Sequence, residues 1–109
     1  MSKIYEIESP LSGTDLIDVR IEVEKGDVLN FAINYRVLIN GKWRQVYRID
    51  TAHGYLHEQR YWINIESIQL RAKEKLFATR KKLLNHCIDE VKQNYRSYKK
   101  LYLDKLERG

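Results

Sequence analysis

The chain has 109 residues, of which 43% are hydrophobic and 32% charged, with a formal net charge of +5. That length suits one α+β domain over residues 1–109, and the composition is that of a folded chain with a single core. No apolar run approaches the ~20 residues of a membrane-spanning helix. The first residues do not read as a signal peptide, and the lone Cys87 has no partner for an internal disulfide. These features point to a cytoplasmic protein with no membrane role.

The charge is uneven. Residues 1–70 carry 8 Lys/Arg against 10 Asp/Glu, a net of −2, and residues 71–109 carry 12 against 5, a net of +7. A basic C-terminal element suits nucleic acid or an acidic partner, and a solvated helix face has the same composition.

The first predicted strand runs from Lys3 to Ile7, and Pro10 marks the loop after it. Ile17, Val19, Ile21 and Val23 then alternate with Asp18, Arg20, Glu22 and Glu24, the period of a half-buried strand. Leu29, Phe31, Ile33, Tyr35, Val37 and Ile39 repeat it, followed by Trp43, Tyr47 and Ile49. Parity argues for three-residue turns, Glu24-Lys25-Gly26 and Ile39-Asn40-Gly41, since either keeps the apolar residues of both strands on one face. The resulting registers pair Ile21 with Leu29, Val37 with Trp43 and Ile33 with Tyr47.

On that parity Trp43, Tyr47 and Ile49 face the core, and Arg44, Arg48 and Asp50 face away. Arg48 and Asp50 are two residues apart, so they can form an ordinary surface ion pair or share a ligand. The stretch Arg48-Ile49-Asp50-Thr51-Ala52-His53-Gly54-Tyr55-Leu56-His57 gathers an arginine, an aspartate and two histidines at a strand end, where rigid scaffolds present chemistry. A return strand from Leu56 to about Ile63 puts His57, Gln59 and Tyr61 on one face. His53 and His57 have the spacing of a helical metal pair. Gly54 argues against a helix there, no cysteine lies at zinc spacing, and a hydrogen-bonded structural histidine is the plainer reading. No metal or other cofactor is expected.

Phe77, Leu84, Ile88, Val91, Tyr95, Tyr98, Tyr102 and Leu106 recur at helical spacing, widened by Leu83, Cys87 and Leu101, and predict a helix over Thr79 to Glu107. Residues 64–78 stay open between strand, loop and helix. The expected fold is α+β, an antiparallel meander of about five strands packed on the long C-terminal helix. Lys81, Lys82, Arg96 and Lys99 are candidate nucleic-acid contacts. The tyrosines at 95, 98 and 102 either stack bases beside those cations or pack the helix on the sheet. A helix that outruns a small sheet calls for a homodimer or a bound partner at its far end.

Arg48-Ile49-Asp50-Thr51-Ala52-His53-Gly54 with His57 resembles the R-Y-D-x-A-H-G-x-x-H segment of TumE-like small proteins, the toxin halves of toxin–antitoxin pairs, and of related uncharacterised small domains. Asp89 to Tyr98 is similar to that family's C-terminal helix, where an Asn and an aromatic precede a basic residue and a second aromatic. Ile49 stands where the family carries an aromatic, and Gln59 where it tends to carry a further histidine. The resemblance implies translation inhibition, with RNA as substrate and a small DNA-binding antitoxin as partner. On that reading the activity is a metal-independent ribonuclease. His53 or His57 acts as general acid or base, Arg48 or a lysine stabilises the phosphate, and Asp50 orients a histidine or pairs with Arg48. Asp50 can equally lock a turn through its own backbone. A non-catalytic nucleic-acid- or protein-binding module is the alternative.

Overall fold

A computed structural model provides the fold and describes residues 1–63 and 67–108. Six strands form one antiparallel meander in chain order: β1 (Lys3–Pro10), β2 (Asp15–Glu24), β3 (Asp27–Ile39), β4 (Lys42–Asp50), β5 (His57–Arg60) and β6 (Ile68–Gln69). A single turn of helix, α1 (Arg71–Glu74), leads into α2 (Arg80–Arg108). The α+β meander with its long C-terminal helix is as the patterning predicts. The short β6 and α1 come from the segment that patterning left open, of which residues 64–66 lie outside the described residues.

Alternation builds the core. Ile17 and Val19 of β2, Phe31, Ile33, Tyr35 and Val37 of β3, and Tyr47 and Ile49 of β4 are buried on one face. Leu83, Leu84, Cys87, Val91, Tyr95 and Tyr102 of α2 close over them. The tyrosines pack rather than project: Tyr95 meets Tyr35 edge-on at 5.7 Å, and Tyr98 stacks on Tyr47 at 4.5 Å and on Trp62 at 5.3 Å. At ~1.5 Å per helical residue and ~3.3 Å per strand residue, α2 and β3 each run roughly 43 Å. The helix is therefore no longer than its longest strand, and length alone gives no argument for a homodimer.

The turns differ from expectation. Both hairpins close through two residues, Lys25-Gly26 and Asn40-Gly41, all four with positive φ, the backbone of a type I′ turn. Such turns alone would set odd residues against even ones. A bulge in each ladder restores parity: one shift falls beside Glu22 and Val23, where Leu29 is the extra residue, and the other beside Tyr35 and Arg36, where Val46 is. Ile21 thus pairs with Phe31, Ile33 with Ile49 and Tyr35 with Tyr47, two residues from the registers expected. Beyond the β4 bulge the faces exchange. Trp43 pairs with Leu38 and is exposed, with the Arg36 guanidinium 5.9 Å from its ring, and Arg44 pairs with core-facing Val37. Val46 and Tyr47, adjacent in sequence, are both buried.

Candidate functional site

Below the bulge, Arg48 and Asp50 lie on the sheet face away from α2, as parity requires. The β4–β5 ladder sets Asp50 opposite His57 and Arg48 opposite Gln59. Asp50 is only 2% exposed and His57 8%, so both carry polar groups that burial obliges to pair. Asp50 Oδ1 accepts from His57 Nε2 at 2.9 Å and from the Ala52 N–H at 3.0 Å, and Oδ2 accepts from Arg48 Nε. One carboxylate therefore pairs with Arg48, orients a histidine and locks the turn. Tyr55 O lies 3.3 Å from His57 Nδ1, so both ring nitrogens face acceptors, although a neutral imidazole can donate to only one.

The loop between β4 and β5 is anchored on two sides. Thr51 prolongs the ladder: its N–H donates to the Phe31 carbonyl at 3.0 Å, and its Oγ1 accepts from the Phe31 N–H at 3.0 Å. Gly54, at φ +86°, turns the chain with its N–H on the Thr51 carbonyl at 3.0 Å. From the helix side, Arg80 donates to Asn30 Oδ1 at 3.1 Å and to the Gly54 carbonyl at 3.0 Å, and it pairs with Glu74 at 3.3 Å. Glu74 in turn accepts from the Leu56 N–H at 3.0 Å. The start of α2 and α1 are thereby tied to the histidine-bearing loop.

On this anchored loop three rings gather. His53 is exposed, its centroid 5.2 Å from that of His57 and 6.4 Å from that of Tyr55, and Tyr55 is 5.6 Å from His57. The Arg71 guanidinium sits 4.4 Å from the Tyr55 centroid, close enough for a cation–π contact. Among the described residues no group of three or more His, Cys, Asp or Glu could hold a metal ion.

A family model described as Domain of unknown function (DUF7718) matches residues 2–108. The chain belongs to this family. No curated protein and no solved structure matches it. None of these comparisons links the chain to TumE-like toxins, and the resemblance rests on the sequence patches that carry it.

In this DUF7718 chain the expected site residues divide. Arg48, Asp50 and His57 form one bonded chain, with His53 beside it. Lys81 and Lys82 are exposed on the first turn of α2, next to Arg80 and hence to the loop. Arg96 and Lys99 belong elsewhere, since fifteen residues of helix separate Lys81 from Arg96 by ~22 Å. Arg96 is exposed with its guanidinium 5.2 Å from the Tyr95 centroid, and Lys99 Nζ reaches Thr14 Oγ1 and Asp15 Oδ2, each at 3.3 Å. Asn30, Arg71 and Glu74 go unremarked in the sequence, and Thr51, Tyr55 and Arg80 have no role assigned to them there. Only the density of cations over residues 71–82 signals that stretch in the sequence.

A second buried acid lies at the opposite end of the sheet. Asp15 accepts from Ser12 Oγ, Tyr35 Oη and, at 3.0 Å, Thr14 Oγ1. Burial pushes its carboxyl up, but those hydrogen bonds and the Lys99 charge outweigh it and hold the group below its ordinary 3.8. Burial and the bond to Asp15 raise the Tyr35 hydroxyl well above its ordinary 10.0. Tyr47, donating to buried Glu58, is raised in the same way. Burial also pushes the Cys87 thiol up to about 12, so it is a core residue and not a nucleophile.

Proposed function

We propose that this protein binds single-stranded RNA at the end where the 51–56 loop, α1 and the first turn of α2 meet. The observation that carries the reading is the group of rings His53, Tyr55 and His57 with Arg71 over Tyr55, and exposed Lys81 and Lys82 follow loop-bound Arg80 on the first turn of α2. Rings supply stacking platforms that accept any base, and lysines supply phosphate contacts. The Asp50 and Arg80 networks keep the loop in place, so little ordering is left to the ligand. No ion pair or hydrogen bond among the described residues occupies the Lys81 or Lys82 side chain.

The test is a titration of labelled single-stranded RNA against salt. Log affinity should fall linearly with log salt, by roughly 0.7 for each phosphate contact. Lys81→Ala with Lys82→Ala should flatten that slope, and Tyr55→Ala should weaken binding at every salt concentration. Binding that ignores all three substitutions sinks the proposal.

A second reading, metal-independent RNA cleavage, is favoured by the Asp50–His57 couple standing 5.2 Å, ring to ring, from exposed His53. A substrate reaches His53, whereas both His57 nitrogens are already engaged. In that reading His53 exchanges a proton with the ribose hydroxyl or the leaving oxygen, and Arg48 supplies positive charge nearby. A toxin neutralised by a small DNA-binding antitoxin is its biological form. The same titration in the presence of a chelator, followed for RNA fragments, separates cleavage from binding.

A further inference from the structure

The helix-side face of the sheet is open over β1 and the Ile21 end of β2, whereas Ile17 and Val19 of β2 are covered. The main sheet contacts of α2 are with β3 and β4, and a helix ~10 Å across covers about two strands spaced ~4.8 Å apart. The open strip is one edge strand wide with Ile21 beside it, so a further helix would lie along β1 against the flank of α2. Its floor is apolar. Tyr5 and Ile7 of β1 are 50% and 51% exposed, and they pair with Ile21 and Val19 of β2. All four share the face that carries the buried Ile17.

One flank of α2 forms the wall of this strip. Lys81, Ile88, Lys92 and Lys99 follow one another at intervals of seven, four and seven, so they share a flank. Lys99 shows which way that flank faces, because its ammonium reaches Thr14 and Asp15 at the head of β2. The opposite flank is closed by α1, whose Lys73 pairs with Glu90. Lys81 and Lys92 are exposed, and no acid among the described residues pairs with them. Lys3, opposite Val23, adds a cation at the outer rim. The strip is therefore an apolar floor between basic edges.

We infer that this strip is the seat of an amphipathic helix from a partner protein, with its apolar face on Tyr5, Ile7 and Ile21 and acidic residues along its edges toward Lys3 and Lys92. Charge decides the occupant. A second copy would have to offer α2, the only helix of sufficient length among the described residues, and the apolar stripe of α2 is already spent on its own sheet. Its outward surface carries Lys82, Lys92, Arg96 and Lys100 against Asp89 and Glu107, a net positive face that would meet lysines.

The experiment titrates the isotope-labelled protein with a short synthetic helix of leucine and glutamate. A lysine-for-glutamate peptide and an alanine-for-leucine peptide serve as controls. Amide shifts should concentrate in β1, β2 and around Ile88, and only the leucine–glutamate peptide should produce them. Ile7→Ser and Lys92→Glu should each weaken binding about tenfold or more. Both sites are exposed, so folding should survive, and the map on the unaltered protein does not depend on either variant. RNA binding at the loop end should be unchanged by Ile7→Ser. The proposal is overturned by no shifts in the strip, by equal binding of the lysine peptide, or by competition from RNA for the same amides. It is overturned also by self-association that buries β1, or by a strand added at the β1 edge with no response at Ile88.

Discussion

The two buried aspartates, at opposite ends of the sheet, solve one physical problem with different partners. Asp15 opens β2, and Asp50 closes β4. Each is nearly inaccessible and saturated with hydrogen bonds, which is the condition for burying a carboxylate at all. Asp15 takes neutral hydroxyls from Ser12, Thr14 and Tyr35 together with the Lys99 ammonium, and it joins a loop, a strand and the helix. Asp50 takes an imidazole, a guanidinium and a backbone amide. A saturated acid is thus a closure device in both places. What separates the Asp50 end is its setting, with the exposed ring of His53, Arg71 over Tyr55 and unpaired Lys81 and Lys82 on the first turn of α2.

Removing each acid should break the comparison most strongly. Asp15→Ala strands the buried Tyr35 hydroxyl and releases Lys99, and Asp50→Ala removes the acceptor that Arg48 Nε and His57 Nε2 share. Each should cost ~2–4 kcal/mol of unfolding free energy, the range for a lost partner of buried polar groups. Chemical denaturation measures both. RNA affinity should follow only Asp50, because only its loss frees the ring-bearing loop. If Asp15→Ala weakens RNA binding as much, measured where the protein remains folded, the two ends are not distinct in function.

The pH profile of stability should isolate the Asp15 end. Folded Asp15 sits below its ordinary 3.8, so its contribution is complete above that value and drains away as pH falls through 3.8 toward the folded pKa. Tyr35 is raised, so its contribution is complete below 10.0 and is lost as pH climbs past that point. Asp15→Asn should flatten the acid limb. Tyr35→Phe should soften the alkaline limb without abolishing it, since Tyr47 is raised as well. Thermal melts across pH would show both effects. An acid limb unchanged in Asp15→Asn would remove Asp15 from this account.

How much of this was legible follows from how local each signal is. Alternation in Ile17–Val23 and Phe31–Val37 reports on neighbours along one strand, and it located the strands and the core face correctly. Parity could be kept either by a three-residue turn or by a two-residue turn with a bulge, and alternation does not distinguish them. The Asn40-Gly41 pair and the adjacent Val46 and Tyr47 marked the second solution, which is why Trp43 lies on the outer face. Arg48, Asp50 and His57 were legible because they meet across a single hairpin. Asp15–Lys99 and Arg80–Gly54 were not, since 84 and 26 residues separate their members and no local pattern encodes the approach.

His53 gives the smallest effect on stability and the sharpest test of the site. It is exposed and takes part in none of the hydrogen bonds that hold Asp50, His57 or the loop, so His53→Gln should move unfolding free energy by less than ~0.5 kcal/mol. Its ring, 5.2 Å from His57, is nevertheless the one a strand of RNA would meet first. Under the binding reading His53→Gln should lower affinity by the ~1–3 kcal/mol of a lost stacking contact, and His53→Tyr should restore it, because a platform needs only a flat ring. Under the cleavage reading neither substitution retains activity, because a phenol and an amide do not exchange protons as an imidazole does near neutral pH. The tyrosine variant therefore separates the two readings at a position where the fold itself is indifferent.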